Sequence, residues 1–211
     1  MQQLGGALRH IHSLGVAHRD VKPENILFMD SSYAQIKLAD FGFASQCGTK
    51  KLKDVCGTPL YMAPELFRGV AYRGPPVDCW ACGCVFYELW QRRQCFEQAR
   101  DMGQLQLLVA KAKLSEPISK RVPVAVRHAI MGLLEPESAK RWTAQEVLTK
   151  VWPDFETLET TGEHCADPQP PLSVACGANQ ALGGGVHSIQ PAQPGSDDLP
   201  TDITCSALAN T

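Results

Sequence analysis

The sequence predicts a mainly α-helical domain that carries one small β-hairpin. Apolar residues recur at helical spacing near the start of the chain, at Leu4, Leu8, Ile11 and Leu14. A continuous apolar stretch at 77–89 is typical of a buried helix. Two short β-prone runs, 26–28 and 36–38, flank a polar turn, and this pattern favours a hairpin.

Further helical patterns follow along the chain, at 77–91, 102–113, 123–134 and 143–150. Thr143 is predicted to cap the last helix, because Glu146 stands three residues later. Three histidines are interpreted without a chemical role: His10 and His12 as solvated side chains, and His128 as a packing or surface residue. Together these elements predict a single folded domain at residues 1–155.

The composition changes after about Phe155. The stretch 166–211 is rich in Gly, Pro, Ser, Gln and Ala, with few aromatic residues and little apolar periodicity. Such a segment cannot bury enough apolar surface to offset the entropy of ordering it. We therefore expect a disordered, low-complexity tail at 156–211. The glycines at 183–185 are not read as a nucleotide loop, because no strand pattern precedes them and no helix pattern follows.

Charge and hydropathy exclude several classes of partner. A formal net charge of −2 gives no electrostatic basis for binding nucleic acid or an anionic membrane. No apolar run reaches the length of a membrane span, and the first residues lack the pattern of a secretory signal. We expect an intracellular protein, cytoplasmic in the simplest case, whose nine cysteines are thiols.

Three of those cysteines, Cys79, Cys82 and Cys84, are spaced closely enough to suggest zinc binding. A structural zinc site needs four ligands, usually two such pairs or additional histidines. These cysteines instead lie within the apolar stretch 77–89, where cysteine behaves as a small hydrophobic residue. The interpretation that the sequence favours is a buried helix.

The most specific pattern lies at 18–25, which reads His-Arg-Asp-Val-Lys-Pro-Glu-Asn. Fifteen positions after it comes Asp-Phe-Gly, at 40–42. An isolated Asp or Asn in a loop is usually a turn residue. Eight specified residues and a second motif at this distance are much less common by chance. The pair resembles the catalytic loop and the metal-binding motif of eukaryotic protein kinases.

The resemblance implies transfer of a phosphoryl group from ATP, with Mg²⁺ ions bridging the phosphates. It implies that Asp20 is the catalytic base and that Asn25 and Asp40 supply the oxygen ligands that Mg²⁺ requires. Lys22 stands where serine/threonine kinases contact the transferred phosphoryl group, and tyrosine kinases usually place other residues there. The implied partners are proteins with Ser or Thr acceptors.

Two later segments extend the resemblance. The stretch 57–65 resembles the loop that docks the substrate, and its Thr58 is implied to hydrogen-bond Asp20 and Lys22. The stretch 78–83 resembles the start of the central buried helix in this family. Its first residue, Asp78, is implied to accept backbone N–H bonds from the catalytic loop.

Three other residues receive structural roles from the same resemblance. Arg141 stands where kinases keep an arginine that pairs with Glu65. A buried bidentate pair of this kind would cost about 3–5 kcal/mol to break. His18 is implied to be a structural residue of the catalytic loop.

A regulatory hypothesis concerns Arg19, which in many kinases pairs with a phosphate on the activation segment. That segment is 43–58 here, and Asp54 lies near the site at which calcium/calmodulin-type kinases carry a phosphorylatable threonine. A carboxylate at this position could order the segment without phosphorylation. The stretch 51–59 resembles catalytic subunits of phosphorylase kinase, within the calcium/calmodulin-dependent group. The alternative is a solvated aspartate in a basic stretch. A regulatory protein is a further implied partner.

No Gly-x-Gly-x-x-Gly motif occurs in the sequence, and the strand lysine and helix glutamate of active kinases have no counterpart. We therefore expect a protein-kinase-like C-terminal lobe, with weak or no activity as a stand-alone chain.

Three functional interpretations stay open. The chain can be a fragment or short product of a serine/threonine kinase gene, a non-catalytic docking or competitor module, or a structural remnant without activity. The intact set of functional positions favours descent from an active enzyme, namely Asp20, Lys22, Asn25 and Asp40.

Overall fold

The structure is a computed structural model that describes residues 1–153. The helices of this part are α1 (Gln2–Ser13), α2 (Pro64–Phe67), α3 (Gly74–Gln91), α4 (Met102–Ala110), α5 (Val124–Leu133) and α6 (Ala144–Val151). Its strands are β1 (Val16–Ala17), β2 (Ile26–Phe28), β3 (Ile36–Leu38) and β4 (Ser45–Gln46), and 3₁₀ turns lie at Pro23–Asn25 and Pro59–Tyr61. The tail predicted for 156–211 lies outside the described residues.

Helix α1 buries one side against the core through Leu4 and Leu8, as its apolar spacing predicts. The helix is shorter than the pattern suggested, because it ends at Ser13. Leu14, the last apolar residue of that pattern, is the C-cap and is 58% exposed. Gly15 follows with φ of 73°, a conformation that suits glycine and turns the chain toward β1.

The predicted hairpin is present. Strands β2 and β3 pair antiparallel, with Ile26 opposite Leu38 and Phe28 opposite Ile36. A second antiparallel pair, β1 with β4, was not predicted. Each of its strands has two residues, which is too short for an alternating pattern to appear in the sequence. This second pair ties the residues before the 18–25 loop to the segment after 40–42.

Helix α3 forms the centre of the core, and most of its side chains are buried. Trp80 stacks on Phe96 with ring centroids 6.2 Å apart. A Cβ at Gly83 would lie 2.8 Å from the Cβ of Leu133, so only glycine permits this close approach of α3 to α5.

The cysteines of α3 pack in this core as predicted, with exposures of 2% for Cys79, 2% for Cys82 and 1% for Cys84. Burial raises the pKa of the Cys79 thiol to about 12, which is the behaviour of a packed thiol rather than a metal-binding thiolate. Within residues 1–153, no group of three or more His, Cys, Asp or Glu side chains could hold a metal ion.

Helices α4, α5 and α6 match the predicted positions with shifted ends, whereas the short helix α2 was not predicted. The last turn predicted for 102–113 is absent, because α4 ends at Ala110. Thr143 caps α6 as predicted: its hydroxyl accepts from Glu146 N at 3.1 Å, and the Glu146 carboxylate accepts from Thr143 N at 2.9 Å. None of the helices in the described part of the chain is long and apolar enough to cross a membrane.

Candidate active site

The 18–25 loop follows β1 and ends in the 3₁₀ turn before β2. This path brings Asp20 and Lys22 of the motif into contact with Thr58. The Oδ1 atom of Asp20 accepts two bonds from Thr58, from its N–H at 2.9 Å and from its hydroxyl at 2.7 Å. Lys22 Nζ donates to Thr58 Oγ1 at 2.9 Å. The contacts predicted for Thr58 are therefore confirmed.

The second carboxylate oxygen of Asp20, Oδ2, accepts hydrogen bonds from Lys22 and Asn25. Lys22 Nζ donates to Oδ2 at 2.7 Å, and Asn25 Nδ2 donates to the same oxygen at 3.2 Å. Asn25 Nδ2 also donates to the backbone oxygen of Asp20 at 2.8 Å. The carboxylate of Asp20 and the side chain of Asn25 are both buried, so these bonds fix their positions.

The charges in this cluster stabilise one another. Burial alone would raise the pKa of Asp20, but hydrogen bonds from Lys22 and Thr58 outweigh burial and bring the pKa below its ordinary value. The Asp20 carboxylate in turn raises the pKa of Lys22. The arrangement keeps an ionised carboxylate and an ammonium group side by side at neutral pH.

Asp78, at the second turn of α3, holds the loop from the core side and is fully buried. Its Oδ2 accepts from His18 N at 2.8 Å, and its Oδ1 accepts from Arg19 N at 2.7 Å. These bonds are the ones predicted for Asp78. They hold Arg19 at φ of 69°, a strained conformation for a residue that is not glycine.

His12 contacts the same carboxylate, with Nε2 at 2.8 Å from Asp78 Oδ2. The prediction that His12 is solvated was wrong, because its side chain is 12% exposed. The sequence held a usable signal. His12 lies four residues after the buried Leu8 and therefore on the same face of α1.

His18 connects the loop to the second motif. Its Nδ1 accepts from Asp20 N at 3.3 Å, which leaves Nε2 as the donor to Ala39 O at 2.9 Å. Its ring also packs edge-on against Phe41 at 4.8 Å. Asp40 sits between these two contacts with φ of 58°. Its exposed carboxylate accepts from Gly42 N at 3.2 Å.

Arg19 reaches toward the activation segment. Its Nε donates to Phe43 O at 2.6 Å and its Nη1 to Tyr72 OH at 3.3 Å. Asp54 is at the limit of an ion pair, with Oδ2 4.0 Å from Arg19 Nη1 and its side chain 86% exposed. Tyr72, which the sequence reasoning missed, is the closer partner and also donates to Asp54 O at 2.7 Å.

The segment before Thr58 packs directly on the loop. Gly57 has φ of 104°, and a Cβ there would lie 2.5 Å from Arg19 O, so the contact requires glycine. Beyond it, Tyr61 donates to Glu88 Oε2 at 2.6 Å. Burial and the nearby carboxylates of Glu88 and Glu24 raise the pKa of Tyr61. This acidic corner around Tyr61, which lies close to Asp20, was not predicted as a unit.

The predicted ion pair between Glu65 and Arg141 is present and bidentate. Arg141 Nη1 donates to Glu65 Oε1 at 2.7 Å, and Nη2 donates to Oε2 at 2.9 Å. Both residues are buried, and the guanidinium lies 5.1 Å from the ring centroid of Trp80. The pair fixes the end of the 57–65 segment to the residues before α6.

Comparison with known proteins supports one family. A family model described as "Protein kinase domain" matches residues 1–153. The chain is 37% identical over 160 residues to serine/threonine-protein kinase zyg-8 of Caenorhabditis elegans, a match that covers 72% of this chain and 20% of that protein. It is 35% identical over 155 residues to CBL-interacting protein kinase 25 of Oryza sativa subsp. japonica, covering 72% of this chain and 29% of the relative.

A human relative is calcium/calmodulin-dependent protein kinase type 1B. It is 35% identical over 157 residues, which cover 74% of this chain and 46% of that kinase. The chain thus spans from a fifth to less than half of the length of these three relatives.

Proposed function

This chain belongs to the protein kinase domain family, and from that membership we propose that it transfers the γ-phosphate of ATP to Ser or Thr hydroxyls of proteins. The observation that carries the proposal is the hydrogen-bonded cluster of Asp20, Lys22 and Thr58. It holds a carboxylate ready to orient an acceptor hydroxyl, which is the main demand that phosphoryl transfer makes of a protein.

The hydrogen bonds of Asp20 indicate how a substrate enters. A carboxylate has about four lone-pair positions. Four bonds already end on the Asp20 oxygens, two from Thr58, one from Lys22 and one from Asn25. We expect the acceptor hydroxyl to replace the Asn25 bond. It is the longest at 3.2 Å, and Asn25 keeps the backbone oxygen of Asp20 as an acceptor.

Once a hydroxyl has entered, Asp20 orients it and takes its proton as the oxygen attacks. Lys22 stays within reach of the transferred group, because Thr58 and Asp20 hold its ammonium from one side. Asp78 supports this step from the core, since it accepts from the backbone N–H groups of His18 and Arg19, the two residues immediately before Asp20.

Protein kinases use ATP and Mg²⁺, and Mg·ATP supplies the phosphoryl group and neutralises its charge. Asn25 and Asp40 are the residues that would hold Mg²⁺. Among the described residues, Asn25 Oδ1 accepts no hydrogen bond, and the Asp40 carboxylate accepts one, from Gly42 N. An amide oxygen and a carboxylate are hard donors and fit this cation.

The acidic corner beside the cluster indicates the substrate class. Glu88 is half-buried and accepts from Tyr61, while Glu24 is exposed nearby. Two carboxylates near the same tyrosine favour a cation from the substrate. We therefore propose that the acceptor Ser or Thr lies in a basic peptide.

The full chain is tested with Mg·ATP and three peptides of the same basic sequence, whose acceptor is Ser, Thr or Tyr. We expect a Mg·ATP-dependent rise in the thermal midpoint and slow transfer to Ser and Thr but not to Tyr, since the sequence predicts weak activity for the chain alone. Asp20→Asn should lower the transfer rate at least about 10²-fold, since a positioned base contributes about 10²–10⁴. Glu137→Gln, an exposed carboxylate paired with Lys140, is the matched control and should not change the rate.

A second candidate is a non-catalytic docking or competitor module. It is favoured by the exposed apolar side chains of the β2–β3 hairpin, with Leu27 52%, Phe28 55% and Tyr33 69% exposed. Absence of any Mg·ATP-dependent thermal shift and of transfer to all three peptides would rule out the kinase proposal and leave this candidate or a structural remnant without activity.

A further inference from the structure

A cavity of about 510 Å³ lies on the side of the domain formed by α5 and the loop between α4 and α5. Its walls are apolar: Leu114 and Ile118 come from the loop, and Ile130, Met131 and Leu134 come from the helix. None of the residues placed in the candidate active site lines it. The volume falls in the range of pockets that take small organic ligands, about 300–1,000 Å³.

Two polar residues of α5, Arg127 and His128, complete the lining. The Nε atom of Arg127 is inaccessible to solvent and has no hydrogen-bond partner within residues 1–153. The residue also has no ion pair within this part of the chain. A buried donor on a charged group without a partner is unfavourable. Because Arg127 lines the cavity, its guanidinium would gain from an acceptor that enters there.

The chain segment that supplies much of the cavity lining is mainly positive. Residues 111–128 hold a single carboxylate, Glu116, which is paired with Arg93 at 2.6 Å. The same stretch holds five cations, Lys111, Lys113, Lys120, Arg121 and Arg127. This concentration is local, because the whole chain has a formal net charge of −2. A field of this kind attracts anions to an apolar pocket that would otherwise select only for hydrophobicity.

We propose that this cavity binds an aliphatic carboxylic acid, with its chain between the loop and α5 and its carboxylate on the guanidinium of Arg127. Arginine presents a planar fork that matches a carboxylate with two parallel hydrogen bonds. His128, on the exposed rim, can add a third contact. A phosphate ester of a nucleoside fits less well, because no Phe, Tyr or Trp ring lines the cavity to stack on a base.

Leu134 lines the cavity and also packs against α3 in the core. A Cβ at Gly83 of α3 would lie 3.0 Å from Leu134 Cδ2, so the cavity wall packs tightly on the helix that carries Asp78. The inference concerns binding and goes beyond the proposed kinase activity. It can therefore be tested without nucleotide or substrate.

The test is titration of the full chain with decanoate below its micelle concentration, followed by calorimetry and by NMR of isoleucine and methionine methyl groups. We expect saturable binding at one site, with shifts at Ile118, Ile130 and Met131. Decanol has the same chain without the charge and should bind at least about tenfold more weakly, since it cannot pair with the guanidinium. Decyltrimethylammonium should not bind.

Arg127→Met retains the aliphatic stem and removes the buried donor, so we expect it to fold. It should lower the affinity for decanoate about tenfold and leave that for decanol unchanged. Arg127→Lys keeps the charge and should give an intermediate affinity. Arg121→Gln removes an exposed cation of the same loop and is the matched control, with an affinity within about twofold of the wild type.

Several results would overturn the proposal. These are equal affinities for decanoate and decanol, an unchanged decanoate affinity in Arg127→Met, methyl shifts outside the cavity, or no saturable binding. Binding of an apolar peptide with a free terminal carboxylate, where decanoate fails, would assign the cavity to a protein partner instead.

Discussion

The two halves of the candidate active site are held in different ways. The catalytic loop, 18–25, is fixed by buried polar groups: Asp20 is 4% exposed and Asp78 is fully buried, and both carboxylates accept several hydrogen bonds. The segment 40–56, which begins with the proposed metal ligand Asp40, is largely exposed. Its two acidic residues, Asp40 and Asp54, make few and longer contacts.

The difference in burial predicts which substitutions change the stability of the fold and which change only ligand binding. A buried polar group without its partner costs free energy in the folded state, so the catalytic loop cannot be changed without weakening the fold. An exposed carboxylate loses little in water when it is replaced. We expect substitutions on the loop side to lower both stability and activity, and substitutions at Asp40 to affect ligand binding alone.

The largest effect is expected for Asp78→Asn. The amide keeps the size of the side chain but offers one acceptor oxygen where the carboxylate served His12, His18 and Arg19. At least one buried donor then faces an NH₂ group, and we expect a loss of about 3 kcal/mol in the free energy of unfolding. Urea denaturation measures this. Asp54→Asn, the same change at an exposed site, is the control, and an equal loss in both would contradict the comparison.

A smaller effect, with a pH signature, is expected for Asp20→Asn. The loss of charge-assisted bonds to Lys22 and Thr58 should cost about 1–2 kcal/mol near neutral pH. The pKa of Asp20 lies below its ordinary value in the folded state. The carboxylate therefore stabilises the fold above the pKa of the unfolded chain, about 3.9, and this contribution is lost as the pH falls through the folded pKa.

The measurement is urea denaturation of both proteins between about pH 3 and pH 7. The gap in unfolding free energy should be constant above about pH 5 and close below about pH 4. Other titrating groups, such as Glu146, are common to both proteins and cancel in the difference. A gap of the same size at pH 3 and pH 7 would mean that the charge of Asp20 does not stabilise the loop.

The contacts of the catalytic loop could be predicted from the sequence, whereas the cavity beside α5 could not. Asp20, Thr58 and Asp78 are far apart in the chain, but the resemblance to protein kinases implied their contacts, because phosphoryl transfer constrains all three. The position of His12 on the buried face of α1 could have been predicted, but its contact with Asp78 could not, since a histidine on a helix has no fixed partner in the sequence. Arg127 gave no signal either, because an unpaired cation is recognised only from its surroundings in space.

Asp40→Asn sharpens the contrast between the halves. The Asp40 carboxylate is exposed and accepts one hydrogen bond, from Gly42 N at 3.2 Å, which an asparagine oxygen can also accept. We expect the free energy of unfolding to change by less than about 0.5 kcal/mol. The same variant should lose the Mg·ATP-dependent thermal shift, because a neutral amide binds Mg²⁺ less well than a carboxylate. A large loss of stability without ligand would show that this side is also held by the fold.

The smallest change in stability is expected for Asp54→Asn. This variant also tests the hypothesis that Asp54 orders the activation segment. The 4.0 Å distance to Arg19 and the 86% exposure of the Asp54 side chain describe a pair that water and salt screen well. Arg19 is held more closely by Phe43 O at 2.6 Å. We expect Asp54→Asn to change stability by less than about 0.5 kcal/mol, and any difference to vanish in about 1 M salt. A decrease in Ser/Thr transfer that persists at high salt would instead establish Asp54 as a residue that orders the segment through contacts closer than this pair.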